Sequence, residues 1–281
     1  MTNSSEKLLS QYKRENRYNN FGECLRQIDI DGFRGIFNCP IQFDFPITAI
    51  SGLNGAGKST IGQIAICGYK KPTISNDYKR RYIKDFFPIS IADPHPITNE
   101  AKLIYTYETN DYSKPQRVTV SRADSSWSGY KRQPERYCYY IGFTVYIPKI
   151  ERRDLSIYGA SSLKFSSERK IDSSIIQQMS KIIGYNYDNV EFKSVAHNQK
   201  ELEIGIASRL GYSYSENNMG FGEGRVLYTI DELENSPDKS LFIIEEPETS
   251  LHESAQHELT KYLLDVCLRK HHQIILSTHS D

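Results

Sequence analysis

Ile47-Thr48-Ala49-Ile50-Ser51, a short apolar run, passes straight into Gly52-Leu53-Asn54-Gly55-Ala56-Gly57-Lys58-Ser59-Thr60. The nine residues satisfy the full GxxxxGK[ST] pattern, which arises by chance about 0.01 times in a chain of this size at ordinary glycine usage. The glycines let successive backbone N–H groups curl around phosphate oxygens, and a following helix aims its positive end at them. Beyond the loop, Ile61, Ile64, Ala65 and Gly68 recur at helical spacing, so the strand–loop–helix context of a phosphate-binding P-loop is met. Asn54, Gly55, Ala56, Gly57 and Thr60 then line the phosphates. Lys58 reaches the β- and γ-phosphates, and the Ser59 hydroxyl ligates Mg²⁺.

Upstream of this loop, residues 25–45 read as two short strands, with Ile28, Ile30 and Phe43, Phe45 alternating with polar residues. Residues 1–22 are polar and read as a flexible arm or a short surface helix. Residues 70–100 form an irregular basic excursion. AKLIYTYET, QRVTVSRA and RYCYYIGFTVYI follow as β-patterned runs of an antiparallel sheet. A helix is expected over 172–184, capped by Asp172 and ended by Gly184, and a hairpin over 190–207. From residue 223 the pattern becomes helix, strand, helix, strand.

Two further strand ends carry polar chemistry. Leu241 to Ile244 run into Glu245 and Glu246, as a buried parallel strand feeding a site does. Glu245 is placed in the Mg²⁺ shell, and Glu246 as the general base that polarises attacking water. The strand of HQIILSTHS ends at His279. A fourth element, Asn217 to Arg225, opens a helix with small residues that expose backbone N–H groups to an anion.

Together these four elements resemble the ABC-type ATPases: P-loop, signature loop, acidic strand and switch histidine stand in that family's order. The intervals, 23 residues from Glu223 to Glu246 and 33 from Glu246 to His279, suit it. GFRG at 32–35, the Glu-Glu-Pro-Glu run and the STHS ending resemble the non-transporter branch of RecF, SMC-like and OLD-like ATPases. The fold so implied is α/β, a P-loop NTPase ABC-type head. It has a mixed or parallel sheet core, an antiparallel β lobe and an inserted basic and helical segment. Residues 23–70 and 216–281 form its core and 71–215 the inserted lobe. The resemblance implies a head-to-tail homodimer, or a higher oligomer, around ATP and Mg²⁺. Lys58, Ser59, Glu245, Glu246 and His279 act in cis, and Gly220, Gly222 and Glu223 in trans.

Departures from the family pattern are informative. Gly220 stands where a serine usually meets the γ-phosphate, and Glu245 replaces the usual aspartate. His252 closes the Thr249-Ser250-Leu251-His252 loop where an aspartate is usual, and Gln133 is the nearest candidate for the Q-loop glutamine. Slow turnover, or ATP used as a clamp, follows from these changes. Such folds normally continue past the strand that ends at His279, so a longer native chain is expected.

Composition bounds the rest. The 281 residues carry 35 Lys+Arg against 35 Asp+Glu, at a mean hydropathy of −0.57. No apolar run reaches 18 residues, so a membrane span is not expected; no signal peptide is visible, and a cytoplasmic protein is expected. Cys24, Cys39, Cys67, Cys138 and Cys267 are scattered, without a CxxC pair. Neutrality conceals local surpluses. Ten acidic residues lie between Glu223 and Glu258 against Arg225 and Lys239, while 70–84 and 130–153 are basic with interleaved tyrosines. The latter suit a nucleic-acid backbone. Lys58 to Gly220 spans 162 residues, more than a transporter subunit needs and far less than an SMC coiled coil. The chain resembles the ATPase subunits of anti-phage systems such as Septu and retron-associated defence. It lacks nuclease motifs, so a cutting activity would belong to a partner, HNH-type or similar, or to a missing segment; DNA is the other expected partner. A transporter nucleotide-binding subunit is the alternative.

Overall fold

The computed structural model describes residues 2–74, 78–123, 126–147, 165–197 and 200–279. They form two compact units, one of residues 1–142, 237–247 and 263–281, the other of 143–236 and 248–262.

The first unit begins with helices α1 (Thr2–Tyr12) and α2 (Arg17–Phe21). Of the two expected readings, flexible arm or short surface helix, the helix is what forms, with a few side chains anchored in the core. Leu8, Tyr12 and Phe21 are buried, the Tyr12 and Phe21 rings meet at 5.2 Å, and the Tyr12 hydroxyl donates to Phe43 O at 3.1 Å. Leu8 and Tyr12, four residues apart, share one helix face, a signal too sparse to stand out in a polar stretch.

Strands β1 (Leu25–Phe33), β2 (Cys39–Gln42) and β3 (Ile47–Ser51) follow, then helix α3 (Lys58–Ile66) and the one-turn helix α4 (Ile83–Phe86). After these come β4 (Ile97–Tyr107), β5 (Gln116–Ala123), β6 (Ser126–Ser128) and β7 (Cys138–Ile141). An antiparallel sheet has the order β2-β1-β4-β5-β6. The second sheet is parallel and joins β3 and β7 to two late strands, β12 (Leu241–Glu245) and β13 (Gln273–Thr278), in the order β3-β13-β12-β7. The run containing Cys138–Ile141, expected in the antiparallel sheet, instead pairs in parallel with β12. Its alternation of tyrosines and small apolar residues does not distinguish the two pairings.

Helix α3 packs between the two sheets. A Cβ on Gly62 would sit 2.7 Å from Ile243 of the parallel sheet, and one on Gly68, just past the helix, 3.0 Å from the Tyr105 ring of the antiparallel sheet. Tyr105 also donates its hydroxyl to Ile64 O at 2.9 Å. Leu241, Phe242, Ile243 and Ile244 are all buried, each worth about 1.5–3 kcal/mol of apolar burial. That near-continuous apolar run is what a strand covered on both faces requires.

The second unit holds β8 (Phe165–Lys170), helix α5 (Ser173–Ile183), β9 (Asn189–His197), β10 (Lys200–Arg209), β11 (Tyr212–Ser215) and helix α6 (Phe221–Asn235). Its strands form an antiparallel sheet, β11-β10-β9-β8, and α5 packs on α6. Helix α5 has the caps expected of it: the Asp172 side chain accepts from Ser174 N at 2.8 Å, and Gly184 takes φ 82°. Arg169 joins β8 to α6 through two hydrogen bonds to Asp231, at 2.7 and 3.0 Å. Helix α7 (Glu253–Lys270) contributes residues to both units.

Candidate nucleotide-binding site

Three neighbouring parallel strands, β3, β13 and β12, end side by side, and each releases one functional segment there. Ligands of parallel sheets collect at that edge because the loops leaving the carboxyl ends and the first turns of the helices converge on it. The P-loop leaves β3, His279 follows β13, and Glu246 follows β12.

The P-loop takes its shape from glycine. Gly55 has φ 80° and Gly57 φ 92°, and a Cβ on Gly57 would press on Ile36 Cδ1 at 3.1 Å. Asn54, Gly55, Ala56 and Ser59 are exposed, while Thr60 is buried in the first turn of α3. Lys58 is 8% exposed; its Nζ donates to Gly52 O at 2.7 Å and to Leu53 O at 3.4 Å, and lies 3.1 Å from His279 Nδ1. The same Nζ lies 3.4 Å from His279 Nε2, so the ammonium, which only donates, faces both ring nitrogens. Nε2 is 3.2 Å from Glu246 Oε1. The result is a row of contacts, Lys58 to His279 to Glu246.

Glu246 is itself held in an uncommon conformation. Its φ is 45°, and its N–H donates to Ser277 O at 2.9 Å. A left-handed backbone costs a residue with a Cβ about 1–2 kcal/mol, so the neighbouring strand offsets strain that aims this side chain.

Beside it, the half-buried Glu245 carboxylate accepts from the Tyr140 phenol at the end of β7. Burial first, and Glu245 second, push the Tyr140 pKa upward, so the phenol stays a donor. Gln63 Nε2 reaches the same phenol oxygen at 3.5 Å. Sequence reasoning missed Tyr140 because its strand was read into the other sheet; recognising β7 as parallel would have put its last residues at the site. Ser59 and Glu245 offer only oxygen donors, the set a hard divalent cation takes together with substrate phosphate oxygens. No cluster of three His, Cys, Asp or Glu that could hold a metal ion occurs among the described residues.

Gln133 is not a Q-loop residue. It is buried, donates to Cys67 O at 3.0 Å at the far end of α3, and accepts from Arg80.

In the second unit, Gly220 caps α6 and its N–H donates to Glu223 Oε2 at 3.3 Å. Glu223 Oε1 accepts from the hydroxyls of Tyr187 at 2.8 Å and Tyr214 at 2.7 Å. The three signature-loop glycines differ. A Cβ on Gly220 meets nothing within 4 Å, whereas one on Gly222 would collide with Ser250 O and one on Gly224 with the Tyr146 ring. His252 Nδ1 is 3.2 Å from Ser254 Oγ, at the start of α7.

The expected basic surface is thinner than its sequence suggests. Arg136 is buried with its Nη1 on the Tyr69 hydroxyl, and Arg80 lies over the Tyr82 and Tyr130 rings. Asp77, Lys149, Glu151, Arg152 and Arg153 lie outside the described residues.

The fold is that of P-loop ATPase heads of the ABC type. The family model described as AAA ATPase domain matches residues 149–281, which include the signature loop, Glu246 and His279. Among solved structures, the chain is similar to the Smc head domain of Pyrococcus furiosus bound to the C-terminal domain of ScpA. The identity is 12%, the TM-score 0.53, and 92% of this chain and 90% of that one are covered. It is also similar to the recombination mediator protein RecF with ATP, at 11% identity, TM-score 0.50 and 93% coverage of both chains. No curated protein matches the chain.

Proposed function

We propose that this chain binds ATP at the P-loop, pairs head to tail with a second copy, and hydrolyses ATP slowly to control a DNA-directed nuclease. The observation that carries the reading is the Lys58–His279–Glu246 row at the ends of three adjacent parallel strands. Lys58, now turned onto the Gly52 and Leu53 carbonyls, exchanges these for phosphate oxygens of the nucleotide. His279 then orients the Glu246 carboxylate and meets the γ-phosphate, while Glu246 accepts the proton of the attacking water. Ser59 and Glu245 hold Mg²⁺, with Tyr140 fixing the Glu245 carboxylate. The bound ion supplies charge neutralisation at the β- and γ-phosphate oxygens.

From the partner copy, Gly220 presents the open face of the signature loop, and Gly222 lends its backbone. Glu223, occupied by two phenols and the Gly220 N–H, shapes that loop from within rather than touching phosphate. A glycine in the serine place removes a γ-phosphate contact, and the longer acidic residue at the end of β12 shifts the metal shell, which favours slow turnover. Similarity to the Smc head and to RecF supports the non-transporter reading. Among the described residues no helix is long and apolar enough to cross a membrane. Control of an HNH-type or similar nuclease in anti-phage defence, in the cytoplasm, extends this reading through the resemblance to Septu-type and retron-associated ATPases.

ATP turnover of the wild type and of Glu246→Gln tests the core of the proposal. Turnover is expected to fall roughly 10²–10⁴-fold while nucleotide binding persists, and equal rates would remove Glu246 from the chemistry. ATP-stimulated DNA binding that is lost at high salt tests the rest; indifference to DNA would sink that part alone.

A further inference from the structure

At the β6 edge of the antiparallel sheet, in the first unit, lies a cavity of about 820 Å³ that the P-loop residues do not line. Four aromatic rings form its walls: Tyr82 and Phe87 from around α4, Trp127 from β6, and Tyr130. Its charged lining residues are Lys84 and Arg122, both cationic.

The walls are held from behind. Trp127 stacks on the buried Phe33 at 5.7 Å and 30°, and Phe87 meets the same ring edge-on at 5.6 Å. Tyr82 and Tyr130 stand at right angles, 5.5 Å apart, and the Arg80 guanidinium lies 4.5 Å from the first and 5.2 Å from the second. Arg122 anchors one nitrogen on Ile97 O at 2.9 Å and Thr98 O at 3.1 Å, and its Nε is buried with no hydrogen-bond partner among the described residues. A buried guanidinium N–H left unspent costs free energy.

A cavity of this size fits one small ligand. Rings on several sides select a flat aromatic body, and two cations at the lining select an anion attached to it. We infer that this cavity binds a nucleobase together with its phosphate, stacked on Trp127 and Tyr82 and held by Arg122 and Lys84. The base could come from a free mononucleotide or from an unpaired base of single-stranded nucleic acid. The site is independent of the P-loop reading.

Trp127 is the chain's only tryptophan, so its fluorescence reports on this cavity alone. The titration uses Lys58→Ala, which removes phosphate binding at the P-loop, and adds AMP, an eight-residue oligothymidylate or inorganic phosphate in separate arms. Saturable quenching by AMP only assigns a free nucleotide; quenching by the oligonucleotide, with or without AMP, assigns a single strand. Base–aromatic stacking supports an affinity loss of roughly tenfold in Tyr82→Ala. The exposed Lys84→Glu, which leaves the walls untouched, is expected to lose a similar factor. Quenching by neither nucleotide overturns the inference. So does quenching by inorganic phosphate at the same concentration, or a Lys84→Glu protein that binds as the parent does. ATP turnover in the Lys84→Glu protein with Lys58 intact is expected to be unchanged, which separates failure here from failure of the ATPase reading.

Discussion

Glu246 and Glu223 are both acidic residues of expected nucleotide sites, yet their surroundings assign them opposite kinds of work. Glu246 leaves the end of a parallel strand at φ 45° and meets an imidazole that a lysine backs. Glu223 sits in the first turn of a helix, where two phenols and the Gly220 N–H occupy its carboxylate. A carboxylate whose neighbours can pass protons along suits chemistry, and one saturated by neutral donors suits architecture. The same conservative change at both positions should therefore separate the two. Glu246→Gln is expected to cost roughly 10²–10⁴ in turnover with an unfolding midpoint near that of the wild type. Glu223→Gln keeps an accepting oxygen and should change turnover only a few-fold. The comparison breaks if Glu223→Gln proves the more inactive of the two.

Glycines within the signature loop sharpen the same contrast. Gly222→Ala must displace Ser250 O, a backbone atom, so overpacking of about 1–3 kcal/mol is expected in urea unfolding. Gly220→Ala, at φ −60° with open space around it, should leave the urea midpoint almost unchanged. Any loss it causes should appear in ATP-driven dimerisation, measured by light scattering. Were the two variants equally unstable, Gly220 would be a packing glycine like its neighbour.

The tyrosines around Glu223 add a pH signature. Burial first, and Glu223 second, push the Tyr214 pKa up to about 12, and the same causes raise Tyr187 further. In the unfolded chain a tyrosine titrates near 10. The neutral phenol is favoured in the folded state, so this stability is complete below about pH 10 and is lost as pH rises toward 12. The unfolding midpoint should fall across that window, and less steeply in Glu223→Ala, which at neutral pH should already be weaker by about 1–3 kcal/mol. Parallel slopes in the two proteins would detach the phenols from Glu223.

What could be read in advance follows the same division. Lys58, Glu246 and His279 were legible because local patterns announce them: a glycine-rich loop after a strand, and polar residues closing apolar runs. Tyr140 and the Glu223 phenols were not, since each depends on which strands pair or on residues 9 and 36 positions away. Gln133 misled for a related reason. Nothing in its neighbourhood shows that it bonds the far end of α3. Before Leu25 a polar composition left arm and surface helix equally readable, and hid the three buried side chains, Leu8, Tyr12 and Phe21, that anchor the segment.

The smallest effect is expected at Tyr140, whose phenol bonds the carboxylate beside Glu246. Tyr140→Phe keeps the ring against Phe86, 5.5 Å away, and removes the hydroxyl that bonds Glu245 and weakly accepts from Gln63 at 3.5 Å. Stability should shift by about 1 kcal/mol or less, the net worth of one hydrogen bond. Positioning partners of all-protein metal sites are worth roughly 10–100-fold in metal affinity. In the proposed site phosphate oxygens would share the ion, so a shift of about threefold in the Mg²⁺ concentration giving half-maximal turnover is expected, with the maximal rate nearly kept. A purely packing role for the phenol would lower stability without moving that concentration. An unchanged Mg²⁺ dependence would therefore leave Glu245 to be oriented by its strand alone, and would make Glu246 the more tightly placed of the two adjacent carboxylates.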